Sequence, residues 1–270
     1  MSSTVVRLKR AVKSVLGTVP ARRNVSVRKD DVFIVSYPKS GNTWTRFLIA
    51  NIISEPGLEV DFKNIDFLVP DIYQASNNQL AKMDSPRYLK SHEYFDPRYK
   101  KVIYIVRDPR DVLVSYYYYL MKMSALLSNE TLDQFARRFI DGEVDSFGDW
   151  GENVASWLSV SSLDSSRVLV LRYEDMLSDT KGSVKQINDF LHLPSCERDI
   201  DHIVSMSSFE RMKNLEIKQS LNWKPVKNSR KDISFVRSGK KGEGRDVLSP
   251  EIIELIDKKW CSQMEKLRYS

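Results

Sequence analysis

The stretch Val32-Phe33-Ile34-Val35-Ser36-Tyr37-Pro38-Lys39-Ser40-Gly41-Asn42-Thr43-Trp44 decides the fold. A β-rich apolar run stops at Tyr37-Pro38, and the chain passes through a short loop into an amphipathic helix over Thr43–Ile53. A strand that feeds a helix through Gly, Lys, Ser and Thr builds an anion cradle. The first helical amides have no intrahelical partner, and the helix dipole adds partial positive charge at the same point. Lys39 and the hydroxyls of Ser40 and Thr43 make a phosphate or sulfate group the natural ligand. The loop is not a nucleotide-kinase P-loop, whose lysine follows the second glycine of G-x-x-x-x-G-K-[ST]; here Lys39 precedes the loop's only glycine.

The same pattern of apolar run, loop and helix recurs at Val102–Val106 with Pro109–Met121, and at Val168–Leu171 with Lys181–Leu191. Arg87–Ser91 adds a further short strand. Short apolar strands alternating with helices predict a parallel sheet covered on both faces, an α/β domain over residues 31–270. Asp108 is placed to cap the second helix, Pro109 suits its first position, and Asp111 completes a capping-box-like arrangement. Ser249-Pro250-Glu251 opens a last amphipathic helix with Ile252, Leu255, Ile256 and Trp260 on one face. Ligands of such sheets sit beyond the carboxyl ends of the strands. The Lys39 loop, Ser91-His92 and Arg107 all follow strands directly.

At 270 residues the chain is long enough to bury a full core as one domain, or at most two small ones. Its 41% hydrophobic and 29% charged residues are those of an ordinary globular protein. A balance of 42 basic to 36 acidic residues, net +6, leaves nucleic acid and anionic small ligands both open. Cys196 and Cys261 form no C-x-x-C pair, and reduced, structural thiols fit a cytoplasmic setting. No apolar run approaches the roughly 20 residues that span a bilayer. Residues 1–30 form a basic extension in which Val5, Leu8, Val12, Val15 and Leu16 fall at helical spacing opposite Arg7, Lys9, Arg10 and Lys13. Such a helix rests on anionic lipid or a partner, or is simply a solvated extension.

Four positions are candidates for chemistry. Lys39 offers its charge to a transferred or leaving anion. Arg107 serves either an ion pair with Asp108 or Asp111, or an external phosphate, with Ser115 two helical turns on along nearly the same face. His92, one of three histidines, follows Lys90 at a strand end, where a near-neutral imidazole is either structural or a general base. The Gly-rich basic run from Arg237 to Arg245 is mobile surface or a flap over a phosphate.

Together these segments resemble the cytosolic-type sulfotransferase family, whose donor is 3′-phosphoadenosine 5′-phosphosulfate (PAPS) and whose product nucleotide is 3′-phosphoadenosine 5′-phosphate (PAP). Its signatures resemble Tyr37–Trp44, Arg107–Tyr117 and, in spacing, Arg237–Gly244; Lys90-Ser91-His92 falls where the family keeps its catalytic histidine. The resemblance implies a single three-layer α/β/α domain, P-loop-NTPase-like, that moves a sulfuryl group to a hydroxyl, or less readily an amine, of a small molecule without a metal. Position by position, Lys39, Ser40, Gly41, Asn42 and Thr43 would bind the 5′-phosphosulfate, with Lys39 on the bridging oxygen. Arg107, Ser115, Arg237 and the Gly239 backbone would hold the 3′-phosphate. Trp44 and Phe209 would flank the adenine, with Tyr173 and Ser207 beside them. His92 would deprotonate the acceptor and Lys90 would position the sulfuryl group. Nucleic acid is then not needed to account for the basic residues.

Three departures stand out. Ser238 replaces a usual lysine, leaving a 3′-phosphate contact to be lost or taken by Lys240 or Lys241. Gly244 replaces tryptophan, which predicts a less firmly closed flap. The family's dimer motif survives only as Arg245, Ser249, Pro250 and Glu254, so monomer and homodimer both stand. The rival readings are a nucleotide or small-molecule kinase, which would need G-K-[ST] and a magnesium-holding acid, and a PAP- or PAPS-binding protein without turnover.

Overall fold

The structure, a computed structural model, describes residues 25–269 apart from 56, 163, 194–199 and 224. The proposed amphipathic helix of the first residues and Cys196 lie outside the described residues. Four strands, β1 (Val32–Ser36), β2 (Tyr88–Ser91), β3 (Lys101–Val106) and β4 (Val168–Arg172), pair in parallel in the order β2-β1-β3-β4. The helices are α1 (Asn42–Ile53), α2 (Ile65–Leu68), α3 (Asn77–Ala81), α4 (Pro109–Lys122), α5 (Leu132–Ile140) and α6 (Trp150–Ser161). They continue as α7 (Tyr173–Ser178), α8 (Thr180–Leu191), α9 (Ile200–Met206), α10 (Phe209–Gln219), α11 (Glu243–Val247) and α12 (Pro250–Lys266).

All five residues of β1 are buried, because helices cover both faces of the sheet. Side chains alternate along the strand, so Phe33 and Val35 enter one core with residues of α4, α5, α6 and α12, Trp157 and Trp260 among them. Val32 and Ile34 enter the other with Phe47 and Leu48 of α1 and Ile187 of α8. This is the three-layer α/β/α domain that the sequence predicts. No helix among the described residues is long and apolar enough to cross a membrane. Cys261 is a free, exposed thiol rather than a buried structural one.

The chain steps from β1 to β2 on one side and then to β3 on the other. The loops after β1, β2 and β3 therefore diverge at one sheet edge, where such folds open a crevice. Asp108 caps α4 as expected, accepting from the Arg110 amide. Asp111 does not complete a capping box. Its two carboxylate oxygens instead accept from the amides of Gly242 and Gly244, at 2.8 and 2.7 Å, and so fasten the start of α11 to α4.

Candidate active site

A cavity of about 580 Å³ opens at that edge. Lys39, Gly41, Asn42, Thr43 and Trp44 line it from the first loop and α1, with Lys90 in β2 and His92 just after it, and Arg107 and Ser115 around α4. Tyr173, Ser207, Phe209, Arg237, Ser238 and Gly239 line it from the later segments. Of the residues predicted from the sequence only Ser40 is missing from the wall; it is fully buried beneath the loop, with its hydroxyl unpartnered among the described residues.

Backbone geometry sets the loop. Lys39 adopts a left-handed φ of 69°, a strained conformation for a residue with a side chain, costing about 1–3 kcal/mol and found where function requires it. Gly41 has φ 102°, and a Cβ there would lie 2.5 Å from the Tyr173 ring, so no other residue fits. Asn42 donates to the Ile34 carbonyl and the Ser36 hydroxyl, tying the loop back to β1. Helix α1 has no side-chain cap and no acid in its first turn, whereas α4, α5, α6, α8 and α10 are all capped by side chains. Its leading amides are left for an anion.

The cations around this loop are crowded. The Lys39 ammonium lies 4.1 Å from the Tyr119 ring centre and 4.8 Å from that of Phe235. Burial, then the charges of Lys90, Arg107 and Arg237, lowers its pKa to about 7. Arg107 stacks 4.4 Å over the Tyr173 ring and donates to the Lys240 carbonyl, while its Nε is buried without an acceptor among the described residues. Its ion pair with Asp111 is long, 3.6 Å, because that carboxylate serves the flap. An orphaned guanidinium nitrogen beside an uncapped helix is a site that fits an anionic nucleotide.

His92 is oriented by its own backbone surroundings. Its Nδ1 lies 2.8 Å from the Ser36 carbonyl oxygen, which only accepts, so Nδ1 carries the proton and Nε2 the lone pair. Tyr73 stacks on the ring at 6.0 Å and Phe147 meets it edge-on at 5.4 Å. Burial, followed by the charge of Lys90, pushes its pKa down to about 3, which keeps the imidazole neutral.

Three predicted contacts are already engaged. Lys90 is paired with Asp71 at 2.7 Å, so its charge is balanced rather than free. Arg237 makes a two-pronged ion pair with Glu243 and lies over Tyr118. Lys241 donates to the Ser178 hydroxyl, and neither it nor Lys240 is among the residues that line the cavity. Gly244 sits where a Cβ would come 2.4 Å from the Arg110 backbone. A tryptophan has no room there, and the flap is held by the Asp111 contacts instead.

Some of the machinery has no signal in the sequence. Glu216 on α10 accepts from the amides of Phe235 and Val236 at 2.6 and 2.8 Å. Lys122 at the end of α4 donates to the carbonyls of Arg230 and Ile233 and pairs with Glu216 at 3.3 Å. This buried pair fixes the segment that lays Phe235 over Lys39. Asp71 lines the cavity. Asp66, Asp145 and Asp149 are spent on Arg46, Tyr116 and Lys259.

The sulfotransferase domain family model matches residues 29–268. The chain belongs to the sulfotransferase family, and it is a sulfotransferase enzyme. It is 33% identical over 249 residues to the 3-alpha-hydroxysteroid sulfotransferase of Cavia porcellus, covering 88% of this chain and 85% of that protein. It is 31% identical over 256 residues to sulfotransferase 1E1 of Homo sapiens, covering 88% and 85%. The crystal structure of mouse sulfotransferase SULT7A1 complexed with PAP superposes with a TM-score of 0.71 at 25% identity, over 95% of this chain and 90% of that one. Retinol dehydratase in complex with retinol and PAP shares the fold, with a TM-score of 0.71 at 22% identity over 89% and 83%.

Proposed function

We propose that this sulfotransferase moves a sulfuryl group from PAPS to a hydroxyl of a small molecule, with His92 as general base and Lys39 on the leaving phosphate. The observation that carries the reading is the fixed His92 tautomer beside the Lys39 cradle. A neutral imidazole whose Nδ1–H is committed to Ser36 keeps Nε2 for the acceptor's proton. PAP bound in the similar mouse structure supports a 3′-phosphorylated adenosine as the donor's frame.

Sulfuryl transfer, like phosphoryl transfer, disperses charge in an in-line transition state, so positioning and cationic stabilisation supply most of the catalysis. The acceptor oxygen forms its bond to sulfur as the sulfur bond to the phosphate oxygen breaks, and the acceptor proton passes to His92. Negative charge grows on the bridging oxygen, where Lys39 and the leading amides of α1 stabilise it. Arg107, Ser115 and Gly239 hold the 3′-phosphate, and Trp44 and Phe209 enclose the base.

Incubation with radiolabelled PAPS and a panel of hydroxy compounds tests this reading by the label recovered in an organic product. Lys39→Ala is expected to lower that transfer by about 10³-fold. Label lost only to water, or a Lys39→Ala variant as active as the parent, would overturn it.

A further inference from the structure

The acceptor end of the cavity carries an ion pair that the transfer step does not consume. Asp71 belongs to a short segment that pairs with the edge of β2, its neighbours bonded to Lys90 through Ile72 N to Lys90 O at 3.2 Å and Lys90 N to Pro70 O at 2.8 Å. That register fixes the Asp71 carboxylate beside the Lys90 ammonium. One oxygen accepts from Lys90 at 2.7 Å and the other from the Tyr73 amide at 3.0 Å. A carboxylate accepts about four hydrogen bonds and an ammonium donates three, so both groups keep unused capacity. Burial alone would raise the Asp71 pKa, but the charge and hydrogen bond of Lys90 outweigh it and hold the carboxyl below its ordinary value.

Asp71 and Lys90 line the same cavity as His92, with Gln74 beside them and the rings of Tyr73 and Phe147 around them. An acceptor with no polar group beyond its reacting hydroxyl, closing over this wall, would strip the remaining water from the pair, whose Lys90 and Asp71 side chains are 16% and 5% exposed, and supply no new partner. Leaving a buried polar group unsatisfied costs about 1–3 kcal/mol, more for a charge. A site built to hydrogen-bond its substrate rejects analogues lacking that group more strongly than an apolar pocket rejects added ones.

We infer that the acceptor is a hydroxy compound bearing a second hydrogen-bond donor, a further hydroxyl or an ammonium, which Asp71 receives while His92 takes the proton of the hydroxyl that is sulfated. The inference rests on the transfer reading above and narrows its substrate class. Tyr73 and Phe147 are the walls between which the acceptor's carbon frame would lie.

The test uses matched acceptors: phenol, catechol and aminophenol; cyclohexanol, cyclohexanediol and aminocyclohexanol; and a hydroxysteroid. Transfer from labelled PAPS and acceptor binding to the PAP complex are measured for the parent and for Asp71→Asn. In the parent, members with a second donor should exceed their single-hydroxyl counterparts in kcat/KM by roughly 10- to 100-fold. Asp71→Asn should bring that ratio to near parity. The diol and amino members separate a neutral from a cationic second donor.

Preference of the parent for the hydroxysteroid or the single-hydroxyl compounds overturns the inference and needs no variant. So does an Asp71→Asn variant that slows every acceptor equally, since Asp71 would then act only by holding Lys90. PAP affinity on the same samples keeps the two readings apart. If PAP does not bind, both fall; if it binds and none of these acceptors does, this inference falls alone.

Discussion

The two ends of the cavity are built on different physical terms. The donor end is made of strand ends and helix starts: the Lys39 loop, the uncapped α1, Arg107 after β3 and Gly239 in the flap. Its charges are mainly cationic: Lys39 is crowded by Lys90, Arg107 and Arg237, and Arg107 has only a long, 3.6 Å contact with an Asp111 carboxylate already held by the Gly242 and Gly244 amides. The acceptor end is assembled by side chains from separate loops, Asp71, Phe147 and Phe235, and its one lysine is neutralised by Asp71. The donor end is thus poised for a polyanion, while the acceptor end is nearly charge-balanced and selects by hydrogen bonding and ring contacts.

Arg107 gives the sharpest break in that comparison. Arg107→Ala should weaken PAP by roughly 10- to 100-fold, the loss of charge-assisted hydrogen bonds, and AMP far less. Calorimetric titration of both nucleotides checks this, and equal losses would remove Arg107 from the 3′-phosphate. The next effect is one of pH. Free Lys39 loses its proton at about 7, so above that pH binding a polyanion must restore the proton. PAP affinity should fall by up to about tenfold per pH unit above 7, with proton uptake seen in buffers of different ionisation enthalpy, and level off just below it, before the phosphates of PAP themselves take up protons near pH 6. The same shift acts on folding. The unfolded chain keeps this proton to about 10.4, so Lys39 makes the free enzyme's stability rise between pH 7 and that value.

Glu216 should give a smaller effect, spread over both ends because it fixes Phe235. Glu216→Gln leaves Lys122 buried without its counter-charge, costing about 3 kcal/mol and several degrees in Tm. It should also raise the KM for PAPS several-fold with a smaller change in kcat. A lower Tm with unchanged kinetics would confine the pair to a structural role.

The comparison also explains what was legible in the sequence. Strand, loop and helix are local, so the parallel sheet, the Lys39 loop, His92, Arg107 and the flap could be placed from runs of a few residues. Asp111 has the position of a capping-box residue but not the role, because its partners, Gly242 and Gly244, lie in another segment of the chain. The Asp71–Lys90 and Lys122–Glu216 pairs join residues far apart in sequence and leave no periodicity or motif. Lys90 is therefore balanced by a carboxylate the local sequence does not reveal, whereas the partner of Arg237, Glu243, stands six residues on in the same run and its pairing depends on how the flap folds back. The missing tryptophan at Gly244 looked like a loss. Its meaning, close approach of the flap to α4, depends on a distance that only the folded chain supplies.

The most direct test is His92→Ala, where the two ends meet. Because the contacts of His92 are with Ser36, Tyr73 and Phe147 rather than with the residues proposed to hold the 3′-phosphate and adenine, PAP affinity should stay within about twofold while sulfuryl transfer falls by about 10³-fold, the usual reach of a general base. Parent-like turnover by His92→Ala would contradict the account, as would PAP binding lost in step with transfer.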